Sequence, residues 1–214
     1  MVQIRPASTA DAEAVALVRR ETWLAAYAGI IRAGIIDRVT APYDAARERA
    51  AFASRPWRRM LVAETEPAGE PAAGTRADAA ALPPGPDPAA GQGTEIVGYA
   101  SYGPERDVDG TPSLCPADAG SPDACIAELY ALYVAPAWWS TGTGRALMER
   151  VLSEVRGEGY PRMTLWVLEE NARARRFYER SGFRVAGEKH VLHGLGGVIE
   201  VRYDLELSSA RGHT

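Results

Sequence analysis

Two glycines stand where a strand ends and a helix begins, and their placement suggests a site for phosphate groups. Gly142 and Gly144 follow an apolar run over residues 126–134 and directly precede a segment with apolar residues at helical spacing. The first amides of a helix have no intrahelical partners and lie at the positive end of its dipole, so they favour anionic groups. The turn is not a Walker A loop, because no Lys-Ser/Thr pair follows, and Leu147 replaces the third glycine of a dinucleotide-binding fingerprint. The alternative interpretation, that this is a tight turn which needs glycine for steric reasons alone, stays open.

A carboxylate inside the same apolar run is the first candidate for acid–base chemistry. Glu128 lies two residues into this run, whose apolar side chains fall on both faces, as is typical of a central strand covered on both sides. Burial disfavours the charged form, so we expect a raised pKa that suits a general base. If the start of the strand is frayed, Glu128 is a surface glutamate instead. Further candidates for the base are Glu169, Glu170 and His193.

The elements that must position these residues alternate in the manner of a mixed α/β fold. Short apolar runs predict strands over 2–5, 59–64, 95–101, 126–134, 162–168, 183–191 and 198–207. Helical spacing predicts helices from Ser8 or Thr9 to about residue 27, and over 43–53, 142–155 and 171–180. This order predicts a single α/β (α+β) domain with a mixed sheet of about seven strands and helices on both faces.

One segment of low complexity interrupts this pattern. Within it, 20 of the 27 residues 67–93 are Pro, Ala or Gly. This composition offers too little apolar surface for burial to offset the conformational entropy lost when the segment becomes ordered. We therefore expect a disordered insert over 66–94, which lengthens the turn of a hairpin. A second loop is predicted over 107–123. The domain is expected to span 1–207, followed by a tail over 208–214.

Composition and charge exclude several classes of protein. A net charge of −4 and a pI near 5.5 argue against nucleic-acid binding, which usually shows a basic patch. No apolar run is long enough to span a membrane, and the first residues lack the apolar core of a signal peptide, so we expect a cytoplasmic protein. Cys115 and Cys125 lack partners at metal-ligand spacing, so we expect no metal site. Because no export signal is evident, we expect both cysteines to be reduced thiols.

Two ordered motifs resemble the GNAT N-acetyltransferase superfamily. Residues 132–147, LYVAPAWWSTGTGRAL, resemble the family's motif A, in which a strand and a proline precede Gln/Arg-x-x-Gly-x-Gly/Ala at the start of a helix. Residues 165–183, LWVLEENARARRFYERSGF, resemble motif B, with its Asn, Phe-Tyr and Gly-Phe. The first and last predicted strands fit as well, so the resemblance covers nearly the whole chain outside the two loops. This sequence departs from motif A at two positions. Trp139 occupies the Gln/Arg position, and Ser140 occupies the position of the glycine that usually follows it.

The resemblance implies acetyl-CoA as the acyl donor and an amine as the acceptor, which attacks directly in a ternary complex. It implies that the motif A strand splays from the next strand, where the amides of Leu132 and Val134 would bind the pantetheine arm and polarise the thioester carbonyl. Tyr178 would protonate the CoA sulfur, and Asn171 would lie near the pantetheine. The residues expected at the cofactor are Leu132, Tyr133, Val134, Trp139, Ser140, Thr141, Gly142, Thr143, Gly144, Arg145, Asn171, Phe177 and Tyr178.

The sequence does not identify the acceptor. Trp23 and Tyr27, one helical turn apart, are candidates for the wall of its pocket, as is Tyr43, although ordinary core packing explains these aromatics too. The resemblance allows a small molecule or a protein as the acceptor, and a homodimer as the assembly. The alternative function is a non-catalytic module that binds acyl-CoA as a sensor or regulator.

Overall fold

The structure is a computed structural model that describes residues 2–41, 49–50, 57–65, 94–107, 110–113 and 125–207. Some of the predictions lie outside these residues. They are the insert 66–94 apart from its last residue, the tail 208–214, most of the loop 107–123 with Cys115, and most of the helix over 43–53 with Tyr43.

Seven strands form one mixed sheet, as the sequence predicts. They are β1 (Val2–Pro6), β2 (Arg59–Thr65), β3 (Ile96–Pro104), β4 (Ile126–Val134), β5 (Arg162–Leu168), β6 (Arg184–Leu192) and β7 (Val198–Glu206). Their spatial order is β1-β2-β3-β4-β5-β7-β6, and all neighbours are antiparallel except β4 and β5. The predicted hairpin on either side of the insert is the pair β2–β3.

The described helices of the sheet layers are α1 (Ala12–Ala26), α2 (Ala33–Val39), α3 (Thr143–Gly157) and α4 (Ala172–Arg180). A 3-10 turn precedes α1, and Ser8 caps it in a capping box with Asp11. The sequence did not predict α2, because seven residues are too few for a periodic pattern and its N-cap, Arg32, makes no side-chain cap. No helix in the described part of the chain is long and apolar enough to span a bilayer.

Helices cover both faces of the sheet, and alternate residues of β2 and β3 show this directly. On one face, side chains of these strands form a buried cluster with α3: Leu61, Ala63, Ala100 and Tyr102 with Leu147, Met148, Val151 and Val155. On the other face, the intervening Val62 and Tyr99 pack with Val15 and Val18 of α1. Side chains alternate between faces along a strand, so each helix buries its own set.

A β-bulge lies in the middle of β4. Ser101 of β3 is opposite Ala131, and the next residue, Tyr102, is opposite Leu129, so Tyr130 is the extra residue on β4. The bulge places Leu129 in the α3 cluster and leaves Glu128 on the other face of the sheet. This is why the run appears apolar on both faces in the sequence.

The parallel pairing of β4 with β5 ends at the bulge. The two strands pair only over Ile126–Leu129 and Arg162–Leu165, whereas β5 continues to pair with β7 as far as Leu168. A bulge bends its strand and disrupts the ladder locally. Beyond it, β4 has no strand partner on the β5 side within the described chain, and this is the splay that the resemblance implied.

The prediction of two reduced thiols is wrong for Cys125, which is disulfide-bonded. Bridging depends on whether two Cα atoms come within roughly 7 Å of each other with suitable side-chain directions. Sequence spacing does not fix that distance, so composition alone favoured the reduced state.

Candidate active site

A cavity of about 710 Å³ opens where β4 and β5 diverge. Its wall on the side of α4 and the start of α3 carries four arginines, and we call it the arginine side: Arg145, Arg173, Arg176 and Arg180. Its wall near the first half of β4 and β7 carries two carboxylates, and we call it the glutamate side: Glu128 and Glu200, with Arg106 beside them. One continuous hollow therefore offers opposite charges to the two parts of a ligand.

The glycine turn forms the start of the arginine side. Gly142 is the N-cap of α3 with φ of 97°, a left-handed conformation that a side chain would strain, and no side chain caps the first amides of this helix. Ser140 has φ of 64°, at the position where the resemblance expected a glycine. These amides and the dipole of α3 are suited to hold phosphate oxygens.

Trp139 has a structural role at the end of β4. Its indole Nε1 donates to the Val134 carbonyl at 2.7 Å, and the Thr22 hydroxyl donates to the same oxygen at 3.0 Å. The guanidinium carbon of Arg173 lies 4.0 Å from the centre of the Trp139 ring, in a cation–π contact. The tryptophan thus anchors the splayed strand and holds an arginine from α4 beside the glycine turn.

Tyr178 is the buried residue of α4, and it faces the cavity. Asn171 caps this helix, its side-chain oxygen accepting from the Ala174 amide at 3.1 Å, and so fixes where α4 begins. Burial, with a smaller contribution from Tyr133, raises the pKa of Tyr178 well above its usual value. Its hydroxyl therefore stays protonated at neutral pH and can act as a hydrogen-bond donor.

Glu128 is buried at the base of the glutamate side, 2% exposed, and paired with Arg106. The Arg106 backbone amide and Nε donate to Oε2 at 2.9 and 3.1 Å, and Nη2 donates to Oε1. The Arg106 guanidinium also lies 4.3 Å from the centre of the Tyr130 ring. A buried carboxylate is costly unless it is paired, and this arginine provides the partner.

The sequence profile described as the acetyltransferase (GNAT) family matches residues 50–183. The chain belongs to this family. Within that GNAT region lie both motifs, the glycine turn, the splayed strand and Tyr178.

Curated relatives share only part of their length with this GNAT chain. A mycothiol acetyltransferase from Beutenbergia cavernae is 50% identical over 62 residues, which are 29% of this chain and 21% of that protein. An uncharacterized N-acetyltransferase from Mycobacterium tuberculosis is 35% identical over 96 residues, which are 44% of this chain and 49% of the relative. The chain thus spans between a fifth and a half of these relatives.

Solved GNAT structures match nearly the whole chain in fold. A ribosomal-protein-alanine N-acetyltransferase from Brucella melitensis gives a TM-score of 0.62 at 22% identity, covering 96% of this chain and 99% of that one. The PaiA N-acetyltransferase from Thermoplasma acidophilum, solved in complex with coenzyme A, gives 0.59 at 18% identity, covering 96% and 99%. At these identities the likeness establishes the fold.

The structure brings most of the predicted site residues to this cavity. Those that line it are Trp23, Tyr27, Glu128, Leu132, Tyr133, Val134, Trp139, Ser140, Gly142, Gly144, Arg145, Asn171, Phe177 and Tyr178. Thr141 and Thr143 line a smaller hollow on the outer side of the same turn, where their hydroxyls are 2.9 Å apart.

The other candidate bases lie away from the cavity wall. Glu169 pairs with Lys189 at 2.5 Å, and Glu170 and His193 are exposed. Among the described residues, no group of three His, Cys, Asp or Glu side chains could hold a metal ion.

Sequence reasoning missed Arg106, Trp166, Arg173 and Glu200, all of which line the cavity. Arg106 lies just after β3 and Glu200 lies in the last strand, and no motif marks either one. Glu200 faces the other residues of the cavity only because β7 lies between β5 and β6 in the sheet. Trp166 and Arg173 both fall inside the second motif. For Trp166, alternation of side chains along β5 could have indicated a residue that faces the cavity.

Proposed function

We propose that this chain transfers an acetyl group from acetyl-CoA to a primary amine, by direct attack in a ternary complex. The observation that carries the proposal is the cavity at the splay, with a phosphate-type turn and arginines on one side and carboxylates on the other. An acyl-CoA is anionic along its nucleotide and neutral at its thioester, and a protonated amine is cationic. The two walls of the cavity match this division of charge.

The arginine side would hold the nucleotide part of acetyl-CoA. The open amides at the start of α3 would bind the pyrophosphate, and Arg145 and Arg173 would add positive charge. Trp139 lacks the polar side chain expected at its position, and Arg173, held over its ring, supplies a cation at the same place. Acetyl-CoA would bring to this site the activated acyl group.

The middle of the cavity would hold the thioester. Beyond the bulge β4 has no strand partner on the β5 side in the described chain, so its amides on that side are available to the pantetheine arm. The amides of Leu132 and Val134 would stabilise the developing oxyanion, and the protonated Tyr178 would donate to the departing sulfur.

Glu128 is our sequence-based candidate for the base. Arg106 already donates to both of its oxygens, so Glu128 would have to give up one of these bonds before accepting a proton. The Glu128→Gln pH–rate profile decides its role, because an unchanged acidic limb excludes Glu128 as the base.

The test is release of free CoA thiol from acetyl-CoA in the presence of a panel of primary amines, with acetylated product identified by mass spectrometry. We expect Tyr178→Phe to lower kcat about 100-fold, since a positioned general acid contributes at least that much, while the Kd for acetyl-CoA changes little. Tyr160→Phe, a partly buried tyrosine away from the cavity, is the matched control. Binding of acetyl-CoA with no acetylated product from any amine would instead favour the non-catalytic module.

A further inference from the structure

A second carboxylate, Glu200, faces the cavity without the close partner that Glu128 has. In the sheet Glu200 lies opposite Leu168 of β5 and His190 of β6. Its described ion-pair partner is His190, with 3.7 Å between Nδ1 and Oε1, and its side chain is 20% exposed. A mostly buried carboxylate that lines a hollow and has, in the described chain, only this longer contact to an imidazole is suited to receive a cation from a ligand.

The surroundings of Glu200 are aromatic. The His190 ring stacks on Trp166 with 4.0 Å between ring centres and 19° between planes, and this fixes the imidazole beside the carboxylate. Trp166 itself lines the cavity, as does Trp23, whose buried indole Nε1 has no hydrogen-bond partner in the described chain. An apolar group joined to the cation would thus lie against ring faces.

The charged groups that face Glu200 act on it in opposite directions. Burial and the negative charge of Glu128 raise the pKa of Glu200, while His190 and Arg106 lower it, and the net direction is upward. A raised pKa strengthens a carboxylate as a proton acceptor.

We propose that Glu200 binds the ammonium group of the acceptor and takes its proton, and that the acceptor is a primary amine carrying an aromatic group. This rests on the acetyl transfer proposed above. Both oxygens of Glu128 are held by Arg106, which leaves Glu200 as the carboxylate free to exchange a proton.

Glu200 takes one proton from R-NH₃⁺, and the neutral nitrogen forms a bond to the thioester carbon. The tetrahedral adduct collapses with cleavage of the C–S bond, and the sulfur receives the Tyr178 proton. The nitrogen loses its second proton to the Tyr178 oxygen, which restores the hydroxyl, and Glu200 releases its proton to solvent.

Binding tests the site independently of turnover. With CoA-saturated protein, calorimetry would compare 2-phenylethylamine with its neutral counterpart 2-phenylethanol and with methylamine, which lacks the ring. We expect wild type to prefer 2-phenylethylamine over both, and Glu200→Gln to weaken its binding about 10- to 100-fold without changing that of the alcohol. Wild type that fails to bind the aromatic amine, or an unchanged affinity in Glu200→Gln, overturns the proposal.

The pH dependence of kcat/KM separates the two carboxylates. We expect an acidic limb in wild type that is absent in Glu200→Gln, with a rate loss of about 100-fold. In Glu128→Gln the limb should persist but move to lower pH, because loss of the Glu128 charge removes an influence that raises the Glu200 pKa. Glu200→Asp keeps the charge and should keep the limb, which guards against a folding defect in the glutamine variant.

The failures of the two proposals are distinguishable. A limb that survives in Glu200→Gln and disappears in Glu128→Gln makes Glu128 the base and overturns the role of Glu200. If wild type binds 2-phenylethylamine in a manner that depends on Glu200 but yields no acetylated product from any amine, acetyl transfer fails while the cation site is supported.

Discussion

At the scale of single residues, Asp11 and Glu128, the most deeply buried acids of the described chain, are each held by an arginine. Arg5 of β1 reaches Asp11 before α1 through Nη1 and Nη2 at 2.9 and 2.8 Å, and Glu64 of β2 through Nε at 2.8 Å. Asp11 is also the acidic member of the capping box with Ser8. One cluster of charges therefore joins two strands to the start of the helix that lines the cavity.

Asp11→Asn should lower the stability of the protein at neutral pH. Its hydrogen bonds to Arg5, and further bonds from Ser8, lower the pKa of Asp11 from 3.8 to about 2. A folded-state pKa below the unfolded value stabilises the fold above the unfolded pKa, and this stability is lost as the pH falls through the folded pKa. We expect a loss of about 2 kcal/mol at pH 7 that shrinks to roughly half by pH 3.

Urea unfolding of wild type and variant at pH 7, 5 and 3 measures this difference. Glu13→Gln, an exposed acid on the first turn of α1, is the control and should change stability little. A difference between wild type and Asp11→Asn that stays constant from pH 7 to pH 3 would contradict the assignment.

At the scale of elements, the bulge in β4 determines where the cavity opens. Tyr130 is the extra residue, and its hydroxyl donates to the Pro104 carbonyl at the end of β3. Gly103 lies directly under it: a Cβ on this residue would stand 2.7 Å from the Trp57 carbonyl oxygen and 2.8 Å from the Tyr130 hydroxyl. The bulge therefore depends on a close approach that a side chain would prevent.

Gly103→Ala should destabilise the protein by about 1–3 kcal/mol, because overpacking forces Tyr130 or the backbone at Trp57 to move. Gly157→Ala is the matched control. It ends α3 with no atom within 4 Å of the added Cβ, so alanine should raise stability by up to about 1 kcal/mol through its higher helix propensity. Equal effects of the two substitutions in urea unfolding would show that contact at Gly103 is not the cause.

At the scale of the whole molecule, charge is divided across the cavity although the net charge is −4. The arginines gather on the wall formed by α4 and the start of α3, and the glutamates on the wall near β4 and β7. An anionic cofactor would be attracted to one wall in spite of the overall sign, and added salt would screen that attraction.

We expect the Kd for acetyl-CoA to rise as NaCl increases from 50 to 500 mM. Arg173→Ala should weaken binding about two- to fivefold at low salt, the range for an exposed charge, and should reduce the salt dependence. Arg150→Ala is the control, because Arg150 pairs with Glu154 on α3 and does not line the cavity. A salt-independent Kd in wild type would argue against a role for the arginine wall.

The sequence alone determined the order of the strands, the position of the longer described helices, the glycine turn and the family resemblance. These depend on local patterns: apolar alternation along β5, an asparagine that caps α4, and two glycines at a helix start. In the structure these patterns correspond to short-range features, such as the Asn171 cap of α4 and the left-handed backbone conformation of Gly142. For this reason the strand over 126–134 and the strand over 162–168 agree with β4 and β5 at both ends.

Only the tertiary structure decided how the charged groups are paired. Arg106 lies 22 residues from Glu128, and Glu200 faces a cavity lined by β4 although it lies at the far end of the chain. The register of β3 and β4, the bulge at Tyr130 and the insertion of β7 beside β5 set these distances. The chemistry of Glu128 and Glu200 depends on which charges lie within a few ångströms, and such long-range pairing leaves no local pattern in the sequence.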